Sequence, residues 1–277
     1  MSRITVGQEN ASAIELYYED LGAGSPVVLL SGYPFTGTSW EKQVPALIAA
    51  GHRVITIDRR GFGRSSRPSV GYDFDTLAAD LDAVLAHLRL TDVRLVGFSM
   101  GTGEIIRYVG KYGVSRIAKV ALLGTMGPFW LKTVDNPDGA DASMFEGFQA
   151  SMRADRPATL LNIVKNARNH DALGGTLVSD QAVNEAWSVA IAASPIAAVE
   201  CIGAWKADFR ADVPKITVPT LIVHAGETDR ILPPEISSRR LAKLIPGVKL
   251  VEIEGAPHDI LWTHAERVNE ALVSFLH

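Results

Sequence analysis

Val93-Arg94-Leu95-Val96-Gly97-Phe98-Ser99-Met100-Gly101-Thr102-Gly103-Glu104 is the stretch that decides the fold of this 277-residue chain. Val93 to Phe98 is a run of strand length, apolar but for Arg94, and reads as a strand of the sheet. Gly103 to Tyr108 begins a helical pattern. Between them lies Gly97-Phe98-Ser99-Met100-Gly101, a G-x-S-x-G sequence in the strand–turn–helix setting that the motif requires. So sharp a turn strains the serine and demands small neighbours, because a Cβ there would collide with the adjacent strand and helix. The bare string is weak; its context makes Ser99 the candidate nucleophile.

Outward from this turn, short strand-like runs recur: Ile14 to Tyr18, Val27 to Leu30, Val54 to Ile57, Lys119 to Leu123, Thr220 to Val223 and Val248 to Ile253. Helical patterns alternate with them. Asp75 reads as the N-cap of Thr76 to Leu88, and Leu261 to Leu276 reads as one C-terminal helix. Alternation of this kind predicts an α/β fold, a mostly parallel central sheet with helices on both faces. The rhythm breaks after Thr125 and resumes near Ile216. The expectation is a core of residues 1–124 and 213–277, with 125–212 as a helical cap insertion.

An alcohol needs an adjacent base to act as a nucleophile at neutral pH. Of the seven histidines, His258 follows the strand Val248 to Ile253 across Glu254-Gly255-Ala256-Pro257, on the sheet edge that also carries Ser99. His224 ends a strand and reads as a packed residue, His52 as part of a turn and His264 as part of the C-terminal helix. The acid is expected on the loop His224-Ala225-Gly226-Glu227-Thr228-Asp229-Arg230. Asp229 gives the order Ser…Asp…His, and Glu227 on the same loop is the alternative. Asp259 reads as a solvated surface residue. An oxyanion hole would take the backbone N–H of Met100 and that of Tyr33, in Ser31-Gly32-Tyr33-Pro34-Phe35, since Pro34 has no N–H to give. Gly32, Pro34, Phe35, Phe129 and Trp130 are candidate pocket residues, and Phe145, Phe148, Trp187 and Trp205 are further aromatic residues of the insertion.

Bulk properties narrow the function classes. A net charge of −4 gives no basic face for nucleic acid. The single cysteine, Cys201, forbids an intrachain disulfide and fits a reducing, cytoplasmic compartment. The N-terminus has no apolar core of signal-peptide length. Val189 to Trp205, the most apolar long stretch, is broken by Pro195 and Glu200 and reads as buried helix, with no membrane partner expected. The histidines show no pair at metal-ligand helical spacing, so no metal is expected.

The motif around Ser99, Asp58-Arg59-Arg60-Gly61-Phe62-Gly63-Arg64-Ser65-Ser66, Lys132 to Gly139 and Gly255-Ala256-Pro257-His258 together resemble the cofactor-free haloperoxidase, perhydrolase and aryl-esterase group of α/β hydrolases. The resemblance spans nearly the whole chain, from Ile14-Glu15-Leu16-Tyr17-Tyr18 onward. It implies a serine hydrolase with no cofactor that takes an acyl group from a small ester or carboxylic acid. Water then gives hydrolysis, and hydrogen peroxide gives a peracid that oxidises halide. Tyr33-Pro34 resembles the perhydrolytic members. The group usually has histidine where this chain has Ser31, and its acid loop is one residue shorter than Ala225 to Asp229. The resemblance also implies a homo-oligomer, a trimer or related assembly. The alternatives are a lactonase or amidase (lactamase-type) using the same triad, and a non-catalytic ligand-binding protein on the same fold. A dehalogenase or epoxide hydrolase would carry aspartate at position 99.

Overall fold

The computed structural model describes residues 2–277. Eight strands form one sheet: β1 (Arg3–Glu9), β2 (Ser12–Gly22), β3 (Ser25–Leu30), β4 (His52–Ile57), β5 (Val93–Phe98), β6 (Ile117–Leu123), β7 (Thr220–His224) and β8 (Lys249–Glu252). Their order is β1-β2-β4-β3-β5-β6-β7-β8. β1 runs antiparallel to β2 and β2 to β4, while every pairing from β4 to β8 is parallel. The helices are α1 (Val44–Ala49), α2 (Phe74–His87), α3 (Met100–Tyr112), α4 (Ala142–Ala154), α5 (Arg156–Ala167), α6 (His170–Leu173), α7 (Asp180–Ile191), α8 (Pro195–Ala204), α9 (Ser238–Leu244), α10 (Ile260–Thr263) and α11 (Ala265–Leu276).

Both faces of the sheet are covered, which explains the unbroken apolar strands. In β3, Val28 and Leu30 face a core shared with α2 and α3. Val27 and Leu29 face the opposite core, with Leu47 of α1 and Val268, Leu272 and Leu276 of α11. Burying each such side chain contributes about 1.5–3 kcal/mol. Register aligns the strand ends: Leu30 pairs with Gly97, Phe98 with Leu123, Leu123 with Val223 and His224 with Glu252. The loops that follow therefore open on one edge, where α/β sheets bind their ligands.

Several local expectations are corrected. The N-terminal strand β1 was not anticipated; it is broken by a register shift between Thr5 and Gly7 and alternates weakly. The helix expected from Thr76 to Leu88 begins two residues earlier, at Phe74, because Asp73 and not Asp75 caps it, accepting from Thr76 N–H at 2.9 Å. The C-terminal helix is two pieces that meet at His264. His52 is a buried residue of β4 and not part of a turn. Among the described residues no single helix is long and apolar enough to cross a membrane. The apolar stretch Val189 to Trp205 is split between α7 and α8, which meet at 93°.

Candidate active site

Ser99 sits between β5 and α3 with φ 50° and ψ −118°, a left-handed conformation that an L-residue holds only under constraint. Its N–H donates to the Leu123 carbonyl at 2.9 Å, and Thr102 Oγ1 donates to its carbonyl at 2.6 Å. The flanking glycines are obligatory. A Cβ on Gly97 would lie 2.7 Å from the Gly101 backbone, and one on Gly101 would lie 2.3 Å from the Leu30 carbonyl oxygen. The turn thus exposes Ser99 Oγ only because α3 and β3 approach without side chains between them.

His258 Nε2 lies 3.0 Å from Ser99 Oγ, and His258 Nδ1 lies 2.7 Å from Asp229 Oδ2. The other Asp229 oxygen accepts the backbone N–H groups of Ile231 (2.9 Å) and Leu232 (2.8 Å). Burial pushes the Asp229 carboxyl up, but the charge and hydrogen bond of His258, with His224 behind it, outweigh burial and hold it below the usual carboxylate range. Thr228 Oγ1 donates to Ala256 O at 2.6 Å and so ties the acid loop to the histidine loop. Glu227 points elsewhere: it is exposed and accepts from Arg239 Nη1 at 2.6 Å. The alternative acid is therefore engaged at the surface.

The loop after β3 lies against Ser99, since a Cβ on Gly32 would be 3.0 Å from Ser99 Cβ. Gly32 O accepts from Phe35 N–H at 2.9 Å. The C=O and N–H of one trans peptide point in opposite directions, so the Tyr33 N–H is turned away from Phe35. Met100 opens α3, where helix N–H groups have no intrahelical partner. Ser31 is buried and donates from Oγ to Thr36 O at 2.6 Å, a bond that closes the loop on itself. Arg59 Nη2 donates to Ser31 O at 2.6 Å, and its Nε donates to Glu104 Oε1 of α3, also at 2.6 Å. Arg59 and Glu104 are both buried, and burial raises the Glu104 carboxyl against the pull of Arg59. One ion pair thus joins the loop bearing Tyr33 to the helix begun by Met100. The rest of the Asp58 to Ser66 stretch is also structural: Arg60 pairs with buried Asp80, and the Asp58 carboxylate accepts from Gly37 and Arg64 N–H, each at 2.9 Å.

Ser99, Met100 and His258 open on a cavity of about 170 Å³. Tyr33 and Phe35 wall it from the sheet edge, and Trp130, Met144, Phe148 and Trp205 wall it from the segment between β6 and β7. Tyr33 also reaches that segment through its hydroxyl, which donates to Ala198 O at 2.7 Å. Phe35 and Trp130 thus line the cavity as expected. Gly32 and Pro34 do not line it; they shape the loop, whose Tyr33–Pro34 bond is cis. Phe129 is not a pocket residue either: it is buried under Arg210, whose guanidinium carbon lies 4.6 Å from the ring centroid. Phe145 packs edge-on beneath Trp130, and Trp187 Nε1 donates to Pro157 O. Met126, Met144, Ile163, Ile231 and Leu232 line the cavity without having been anticipated, since nothing in their sequence setting separates a wall residue from a core one. Asp259 is not solvated: it is buried and accepts from Arg168 Nε at 2.8 Å. Among the described residues no group of three or more His, Cys, Asp or Glu side chains is arranged to hold a metal ion.

Comparison with known proteins agrees with this architecture. A family model described as alpha/beta hydrolase fold matches residues 25–265. The chain belongs to the α/β-hydrolase family. A protein of a Synechocystis strain, provisionally named a non-heme chloroperoxidase, is 52% identical over 276 residues and 100% of both chains. A bifunctional esterase/perhydrolase of Acinetobacter calcoaceticus is 32% identical, covering 95% of this chain and 96% of its own. The crystal structure of a bromoperoxidase from Bacillus anthracis superposes with a TM-score of 0.94 at 45% identity, covering 99% of each chain.

Proposed function

We propose that the chain is a cofactor-free serine esterase of small acyl substrates with perhydrolase and haloperoxidase activity. The observation that carries this reading is the hydrogen-bonded chain Asp229–His258–Ser99, opening on an apolar cavity that Tyr33 and Met100 line. His258 takes the Ser99 proton as Oγ attacks the acyl carbonyl, and Asp229 fixes the ring and stabilises the imidazolium. Tyr33 and Met100 N–H receive the developing oxyanion. Collapse expels the alcohol, which recovers the proton from His258 and leaves an acyl-enzyme on Ser99.

Water or hydrogen peroxide, deprotonated by His258, then attacks that ester and releases the acid or the peracid with free Ser99. The peracid transfers its outer oxygen to bromide or chloride, which becomes hypohalite as the peracid reverts to the carboxylic acid. The cavity supports small substrates, since about 150 Å³ is enough for a benzene-sized group. The names of the relatives support both the esterase and the peroxide-dependent parts. Residues 125–212 act as the cap that sets the acyl group, over a core of 1–124 and 213–277. The lone buried Cys201 supports a cytoplasmic setting, and self-association, as a trimer or related assembly, is part of the proposal through the family resemblance alone.

The test compares purified wild type with Ser99→Ala on p-nitrophenyl acetate and butyrate, and on bromide oxidation in acetate and peroxide. Both activities should fall together by about 10⁴-fold or more. Wild-type inactivity on both assays would reject the reading, and bromide oxidation that survived in Ser99→Ala would reject its peracid route.

A further inference from the structure

His224 ends β7 and is fully buried, and the acyl chemistry above gives it no part. Its surroundings fix its tautomer. The Gly226 backbone N–H points at Nδ1 from 3.2 Å, and a backbone N–H can only donate, so Nδ1 carries the lone pair. In a neutral imidazole the proton is then on Nε2. Two acceptors face it. Ser237 Oγ lies 3.4 Å away and spends its own proton on Pro233 O at 2.7 Å, so it turns lone pairs toward the ring. Asp229 Oδ2 lies 3.5 Å away, and it is the oxygen that also takes His258 Nδ1–H.

We propose that His224 is a positioning residue: its neutral Nε2–H faces Asp229 Oδ2 and holds that carboxylate in place and in charge for His258. This inference rests on the triad reading above. His258 Nδ1 at 2.7 Å and His224 Nε2 at 3.5 Å then approach one carboxylate oxygen, with Ile231 and Leu232 N–H on the other. The remaining charges near His224 are Glu252 of β8 and Arg239 of α9, which satisfy each other at 2.8 Å. Burial lowers the His224 pKa to about 4, so the ring acts as a dipole at working pH, not as a second cation.

The sign of the effect follows from the charge on Oδ2. Removing a donor leaves that oxygen more negative in a buried site, which stabilises the His258 imidazolium. The acid limb of kcat/KM, which reports ionisation of the base in the free enzyme, then moves to higher pH. For His224→Leu the limb should rise by about 0.5–1 pH unit, with plateau kcat lowered by roughly tenfold. His224→Gln places an amide N–H near Nε2 and should restore the wild-type limb. A His224→Leu enzyme with the wild-type limb overturns the proposal, as does a Gln variant as displaced as Leu.

A second measurement needs no variant. Nitrogen NMR of the wild-type protein at pH 7 should show His224 protonated on Nε2, and protonation on Nδ1 overturns the proposal even if the Leu variant fails to fold. Failure here is separable from failure of the esterase reading. If Ser99→Ala abolishes turnover while His224→Leu keeps the wild-type limb, only the role of His224 falls.

Discussion

The sheet edge and the helical segment above it are built by different rules. At the edge, polar atoms of the site are held from several sides: Asp229 by two backbone N–H groups and His258, and the Ser31 carbonyl by Arg59. The segment between β6 and β7 meets the cavity with apolar and aromatic surface, Trp130 stacked near Trp205 at 5.9 Å and Phe148 edge-on to Trp205 at 6.5 Å. Hydrogen bonds have direction and few solutions, whereas apolar contacts have many. The edge therefore fixes the chemistry, and the aromatic wall is free to set which acyl group reaches it.

The largest effect that sharpens this contrast lies on the acid loop. Asp229→Asn keeps the shape but removes the charge and favours the wrong imidazole tautomer, so kcat should fall by about 10⁴-fold. Glu227→Gln, two residues away, should change kcat by less than about twofold, because that exposed carboxylate meets only the half-buried Arg239. Parallel steady-state kinetics on one ester decide it. Equal losses in the two variants would mean that the loop as a whole, not one directed bond, governs the chemistry.

Next in size is the ion pair that joins the loop bearing Tyr33 to the helix begun by Met100. Arg59→Met leaves Glu104 buried without its partner and should cost about 3–5 kcal/mol in urea unfolding. Arg59→Met combined with Glu104→Leu removes both charges and should recover most of that stability. Activity should not return with it, because the Ser31 carbonyl still lacks its donor and the loop bearing Tyr33 is no longer tied to α3. Recovery of both stability and kcat in the double variant would reduce the pair to a packing element.

The same contrast explains what was legible in the sequence. Gly97 and Gly101 could be read because a Cβ at either position collides with backbone, so the local string reports the geometry. Ser99 and His258 follow from strand ends that parallel pairing must bring to one edge. Asp259 reads as solvated from local sequence because its partner Arg168 lies far away in the chain, beyond any local pattern. His224 reads as a packed strand-end residue and is one; the contacts of its ring with Gly226 and Ser237 arise only once the loop has folded and leave no local pattern. Phe129 and Trp130 show the limit on the apolar side: adjacent aromatics, of which one lines the cavity and one lies under Arg210. Composition cannot separate them, since both satisfy the same demand for burial.

The smallest effect tests the aromatic wall directly. Trp205 lies edge-on to Tyr33 with ring centroids 5.1 Å apart, so it touches both the wall and the residue whose N–H we propose for the oxyanion. Trp205→Ala enlarges the cavity, and a methylene in an apolar pocket is worth about 1–3 kcal/mol. The ratio of kcat/KM for the hexanoate ester to that for the acetate ester should rise roughly tenfold, with acetate itself changing less than about threefold. That split follows if the wall selects and the edge reacts. A uniform fall across chain lengths would instead mean that Trp205 holds Tyr33 in place, for a lost orienting contact weakens the transition state of every ester alike. The boundary between the two regions would then run through the wall, leaving Trp130, Met144 and Phe148 to choose the acyl group.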